Sequence, residues 1–252
     1  MNLRTGQYTR GMWTGLLLTL GATGAECQTS PDRVDKSVST YSSLMDGQPG
    51  SPGQVGLGVL ASLGGGDWEG QITFEYTAEK GFFAGTLFAF TFPTVQGGEG
   101  ITDAETSATA SWQQRWIGGN SDNTNFATLL AVQFPVHEPN QDIDFTATAS
   151  LAHVIGKGVT YLNAYVETNR GPNPAPTGWG VFVGHKRPLG TKVALIGSLG
   201  YEQGAVASLG LAAQIIATEH LTVGPGVNIY TTFHGQSRRV NVSAGLVASY
   251  GF

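Results

Sequence analysis

Five histidines, His137, His153, His185, His220 and His234, are the side chains of this chain best suited to proton transfer near neutral pH. Nucleophilic catalysis would need a hydroxyl within hydrogen-bond reach of one of them, on the same face. His234 has Ser237 beyond a Gly-Gln turn, and His153 has Ser150 three positions back. An offset of three puts the second pair on opposite faces of a strand. His137 has Glu138 beside it, at the end of an apolar run, where a solvated imidazole is the ordinary outcome. No catalytic residue is expected from these positions. Gly56-x-Gly58 lacks the third glycine and the following helix of a nucleotide loop. The single Cys27 supports neither a disulfide framework nor a metal cluster. Asn241-Val-Ser243 fits a glycosylation acceptor but falls inside a regular alternating run. No cofactor and no metal are expected.

The remaining chemistry lies in charged and hydrogen-bonding residues at alternate positions. Glu69, Glu75, Glu105, Arg115, Asp144, Glu167, Glu202 and Arg239 stand opposite apolar stripes, together with Asn163, Tyr165, Asn228 and Tyr230. Such residues either cross-link an interior or line a passage and grade what moves through it.

The elements that must position them are strands. In the stretch 239–252 the residues Val240, Val242, Ala244, Leu246, Ala248, Tyr250 and Phe252 alternate with small or polar ones. A period of two over this length is a strand with one greasy face. Soluble strands run to about 5–6 residues, whereas a tilted membrane-crossing strand needs about 9–11. Tyr250 and the terminal Phe252, in phase with the stripe, resemble the signal by which bacterial outer-membrane barrels are recognised and inserted.

From residue 54 onward the same pattern repeats between turn clusters. Strands are expected at 55–62, 68–77, 82–92, 103–117, 126–136, 143–155, 159–169, 179–186, 192–202, 206–217, 221–234 and 239–252. In the third of these Phe82, Phe88, Phe90 and Phe92 are expected to share a face. Twelve strands satisfy the even number of single-chain bacterial barrels and put both ends of the barrel on the periplasmic side. The turns expected on that side are short, as at Glu79 to Gly81 and Gly156 to Gly158. Only Gly118 to Asn125 is long for its place, so ten or fourteen strands remain as alternatives. The fold class expected is all-β, an antiparallel up-and-down transmembrane β-barrel of about twelve strands.

Composition agrees with this. Charged residues make up 12% of the 252, about half the usual share, and the 37 glycines are about twice the usual frequency. A formal charge of −5 argues against a nucleic-acid partner. Residues 1–25 read as a signal peptide, with Arg4 and Arg10 ahead of the apolar stretch from Met12 to Ala22 and a small Ala25 at the cut. Glu26 before Cys27 is not the small residue that a lipid attachment site expects. Residues 26–53, ending in Gly47-Gln-Pro-Gly-Ser-Pro-Gly53, show no periodicity. They are expected to form a periplasmic tail or a plug segment, with 54–252 as the barrel.

Three pieces resemble a known family. They are Thr218-Glu-His-Leu-Thr-Val-Gly-Pro-Gly-Val-Asn228, Val242-Ser-Ala-Gly-Leu-Val-Ala-Ser-Tyr-Gly-Phe252 and Phe134-Pro135 at a strand end. They look like the C-terminal third of the transporter barrels associated with meta-pathway phenol degradation. The resemblance covers about a third of the chain. It implies a roughly twelve-stranded outer-membrane barrel that passes small organic, often aromatic, compounds, and it carries over no ligand residues.

The expected function is a passive, porin-like channel or uptake protein in the outer membrane of a Gram-negative bacterium. Its expected partners are outer-membrane lipid, the barrel-assembly machinery during insertion, and a small-molecule solute. The alternatives are a non-transporting structural or adhesive barrel and, behind it, an outer-membrane lipid hydrolase.

Overall fold

A computed structural model describes residues 55–64, 67–77, 81–93, 105–118, 122–135, 143–170, 178–203, 205–234 and 237–251, with side chains described at Tyr76 and, with interruptions, from 108 to 250. The signal peptide, the segment 26–53 and the terminal Phe252 lie outside the described residues.

Twelve strands follow one another: β1 (Val55–Gly64), β2 (Asp67–Thr77), β3 (Gly81–Pro93), β4 (Glu105–Ile117), β5 (Thr124–Pro135), β6 (Ile143–Ile155), β7 (Gly158–Arg170), β8 (Gly178–Pro188), β9 (Val193–Glu202), β10 (Ala205–Ile216), β11 (Leu221–His234) and β12 (Ser237–Gly251). Each pairs antiparallel with its chain neighbours, and β12 returns to β1, so the sheet closes into a barrel. Closure removes the two free edges that an open sheet of this size would present. The strands run from 10 to 15 residues, the length a tilted crossing requires.

Alternation now has a physical direction. On β12 the side chains of Val240, Val242, Leu246 and Tyr250 are exposed, while Ser243, Val247 and Ser249 are buried. The same holds on β8, where Trp179, Val181 and Val183 face out and Phe182 and Lys186 face in. The exterior is therefore greasy and the interior largely polar, the reverse of a soluble protein. Exposed aromatic residues sit toward the two ends of the strands. Phe134, Phe145, Trp179 and Tyr201 lie at one end, and Tyr76, Trp116 and Tyr250 at the other. Between them come Leu130, Leu162, Val183, Leu199, Leu211 and Leu246. An apolar band between aromatic girdles is the pattern of a barrel that meets lipid.

The two ends differ in their connections. The links 94–104, 136–142 and 171–177 all join strands at one end, called here the long-loop end. The links 78–80, 118–123, 156–157, 189–192 and 217–220 join them at the short-turn end. The β4–β5 link is the longest of this second set. It leaves β4 through Gly118 at φ +84°, and Asn123 O accepts a hydrogen bond from Val154 N at 2.8 Å.

One expectation about a face is corrected. The β3 register skips a residue: Thr86 pairs with Thr73 but Phe88 with Ile72, so Leu87 bulges. A bulge flips the alternation beyond it. Phe83, opposite Tyr76, and not Phe82, is therefore the residue in phase with Phe88, Phe90 and Phe92.

Candidate functional site

Barrel closure brings the alternate polar residues together in the interior. Asn163, Tyr165, Glu202 and Asn228 are buried there, and Asp144, Glu167, Arg115 and Tyr230 are part-buried at positions of the same inward phase. The side chains of Glu69, Glu75, Glu105 and Arg239 lie outside the described residues. The backbone register nevertheless aligns Glu69, Thr91 and Glu105 across β2, β3 and β4.

Height along the barrel sorts these residues by charge. Asp144 is the second residue of β6, Glu167 lies near the end of β7, and Glu202 closes β9, all at the long-loop end. Glu69 and Glu105 belong to the same end of β2 and β4, and Arg239 to that of β12. Arg115 and the buried Lys186 stand near the short-turn end, as does Glu75. The interior thus has an acidic mouth at the long-loop end. Glu167 is within electrostatic reach of both Asp144 and Glu202.

Glu202 is the best-defined member. Its carboxylate is only 2% exposed. Tyr165 and Glu202 sit in one register row on either side of Gly180. A Cβ at Gly180 would meet the Tyr165 ring, so the missing side chain is what lets the phenol lie across β8. The phenol hydroxyl donates to Glu202 Oε2 at 3.2 Å. Glu202 Oε1 meets no hydrogen-bond donor among the described residues. A buried acceptor left open in this way is costly unless something else supplies a donor.

Phe182 continues the wall below. Its ring stacks on Tyr165 with centroids 6.1 Å apart and planes 17° from parallel. It lies over Gly200, where a Cβ would strike it. Ala152, Val159, Tyr161, Ile196 and Ala212 complete an apolar cluster inside the β6–β10 wall. On β10 to β12 the inward positions are small: Ser208, Gly210, Ala212, Gly224, Gly226, Ser243 and Ser249. Bulk on one wall faces small residues on the other, so the interior is lopsided.

Sequence reasoning missed the buried Lys186 and the interior amides Gln113, Asn125 and Gln214. Their phase was legible, since Lys186 follows Phe182 and Gly184 at alternate positions. Of the histidines, His153 and His185 face outward and meet threonines: His153 Nδ1 is 2.7 Å from Thr124 Oγ1, and His185 Nδ1 is 3.1 Å from Thr160 Oγ1. Ser150, by contrast, faces inward, on the opposite side from His153.

No protein-family model matches the sequence, and no curated protein matches it. Solved structures do. An outer membrane channel from Pseudomonas putida F1 superposes with a TM-score of 0.61 at 10% identity, covering 82% of this chain and 98% of that one. The fold is that of an outer-membrane β-barrel. The KdgM porin, in complex with disordered oligogalacturonate, superposes at 0.57 with 7% identity, covering 78% of this chain and 99% of the porin. The NanC porin gives 0.53 at 9% identity, over 77% and 98% of the two chains. At such identities the likeness is one of fold.

Proposed function

We propose that the protein is a passive outer-membrane channel for small organic solutes, and that its acidic mouth selects cationic and neutral molecules over anions. The observation that carries the reading is the placing of Asp144, Glu167 and Glu202 at one end of an otherwise apolar-jacketed tube. Charge of one sign inside low-dielectric walls is focused and only weakly screened. Rings of Asp and Glu are the ordinary means by which a pore favours cations. The resemblance to transporters of phenol degradation adds aromatic compounds as a solute class. Tyr165, Phe182 and Tyr230 offer ring faces on which such solutes could stack. Oligogalacturonate, held by the KdgM porin, is a polyanion, and the mouth described here opposes one. Glu202 Oε1 is the open acceptor that a passing hydroxyl or ammonium group would meet. Asn163, Asn228 and the remaining inward residues named above complete the lining, with Arg115 and Arg239 as its basic counterweights. Nothing in this function calls for catalysis.

A second reading, a structural or adhesive barrel that conducts nothing, is favoured by one observation. Tyr161, Phe182 and Ile196 are almost fully buried inside the barrel and fill part of its bore. Planar-bilayer recordings of the purified protein decide between the two. Cation-selective steps support the channel, anion selectivity refutes the argument from the acidic mouth, and a silent but inserted barrel favours the structural reading.

A further inference from the structure

The outside of the short-turn end carries a polar row where the lipid-facing stripes stop. Strand pairing sets Thr124 beside His153, His153 beside Thr160, and Thr160 beside His185. The two threonine–imidazole contacts, 2.7 Å and 3.1 Å, run along this row. Each of the last three continues an outward stripe, His153 after Leu151, Thr160 before Leu162 and His185 after Val183.

Beyond the row come cations. Arg187 holds the next outward position of β8, Lys157 sits in the 156–157 turn and Lys192 in the 189–192 turn, all exposed. A Cβ at Gly158 would meet the His185 imidazole, so that ring lies over Gly158, next to Lys157. The sequence has no Asp or Glu between Asp144 and Glu167, nor between Glu167 and Glu202. The acids that flank the patch are exposed Asp122, near Thr124, and Glu219, which pairs with His220 at 3.5 Å. Ile155 and Leu189 are exposed at the same rim and give the patch an apolar border.

We propose that this patch is a binding site for the phosphate of an anionic phospholipid headgroup. Lys157, Arg187 and Lys192 supply the positive charge. His153 and His185, each oriented by its threonine, supply ring nitrogens beside it, and Ile155 and Leu189 meet the first methylenes of the acyl chains. Basic groups at a membrane surface attract anionic lipid in this way. The occupant is a phospholipid and not the phosphorylated glycolipid of the outer leaflet, because short turns mark the periplasmic end of such barrels. The inference rests on the membrane-spanning reading but not on conduction.

The test is native mass spectrometry of the barrel released from equimolar phosphatidylglycerol and phosphatidylcholine, with a parallel sample from lipopolysaccharide-containing vesicles. Heat-modifiable migration on gels verifies insertion first, so a failure to insert tells against the membrane reading and not against this site. The inserted protein should retain phosphatidylglycerol preferentially. Lys157→Gln, Arg187→Gln and Lys192→Gln should each lower that preference, by about fivefold per cation. Glu219→Gln, at the next turn, should not lower it. Should the triple variant fail to insert, the single Lys192→Gln variant, in an exposed turn, carries the comparison. Equal retention of the two phospholipids, an unchanged preference in the variants, or a preference for lipopolysaccharide alone overturns the proposal.

Discussion

Tyr165 and Glu202, on strands that do not touch each other, are joined at 3.2 Å across the bare backbone of Gly180. The glycine between them is what makes the bond possible, and the bond satisfies only one of the two carboxylate oxygens. This contact ties the aromatic wall of the interior to its acidic mouth.

Removing the phenol hydroxyl should therefore be felt. Tyr165→Phe leaves the buried Glu202 carboxylate without its donor, and a hydrogen bond to a charged group is worth about 1.5–3 kcal/mol. Urea unfolding of the barrel in vesicles should show a loss of that order. Combining it with Glu202→Gln should cost less than the two separate losses added together, because the residues share one interaction. Strict additivity would mean that the contact contributes nothing.

The glycines under the rings make an independent prediction. A Cβ at Gly200 would strike the Phe182 ring and Ser208 Oγ, and one at Gly180 would strike the Tyr165 ring. Overpacking of this kind costs about 1–3 kcal/mol. Gly180→Ala and Gly200→Ala should each destabilise the barrel, while Gly178→Ala, with nothing nearby, should not. Equal stability of all three, read from the same unfolding curves, would refute the packing of rings over glycine.

The face assignment of β12 can be tested by charge. Leu246→Arg places a cation on the exposed stripe and should cost roughly 2–4 kcal/mol near the bilayer midplane. Ser243→Arg points to the interior, among the small residues of β10 to β12, and should cost less. Folding yields into lipid vesicles compare the two, and equal damage would contradict the direction of the strand.

Selectivity is the functional prediction. If the acidic mouth sets the field, Glu202→Gln and Glu167→Gln should each reduce the cation preference of single-channel currents, measured as reversal potential in a salt gradient. Lys186→Gln, near the opposite end, should shift it in the other sense. A reversal potential that ignores all three would remove the mouth from the mechanism.

Processing provides the last prediction. Cleavage after Ala25 should leave Glu26 at the start of the membrane-extracted protein. An intact Met1 in its mass spectrum would reject the signal-peptide reading.

The sequence by itself determined the strands, their number and which residues face in. Alternation is a local property with a period of two, so Val240 to Tyr250 or Phe145 to Leu151 declare their faces without knowledge of the rest. The even count and the short turns followed from the same punctuation. Register is a different matter, because it depends on how distant strands slide until the barrel closes. That is why the bulge at Leu87 put Phe83 where Phe82 was expected. It is also why the bond from Tyr165 to Glu202 over Gly180 was invisible, since the residues stand 37 positions apart and meet only through an intervening strand. The buried Lys186 had the right phase but an unexpected charge, and phase alone does not say how much of a long side chain leaves solvent. The acidic mouth lay between these limits. Each carboxylate could be assigned inward from its own strand, but only closure of the barrel, stacking twelve strands at matched heights, gathered them at one end.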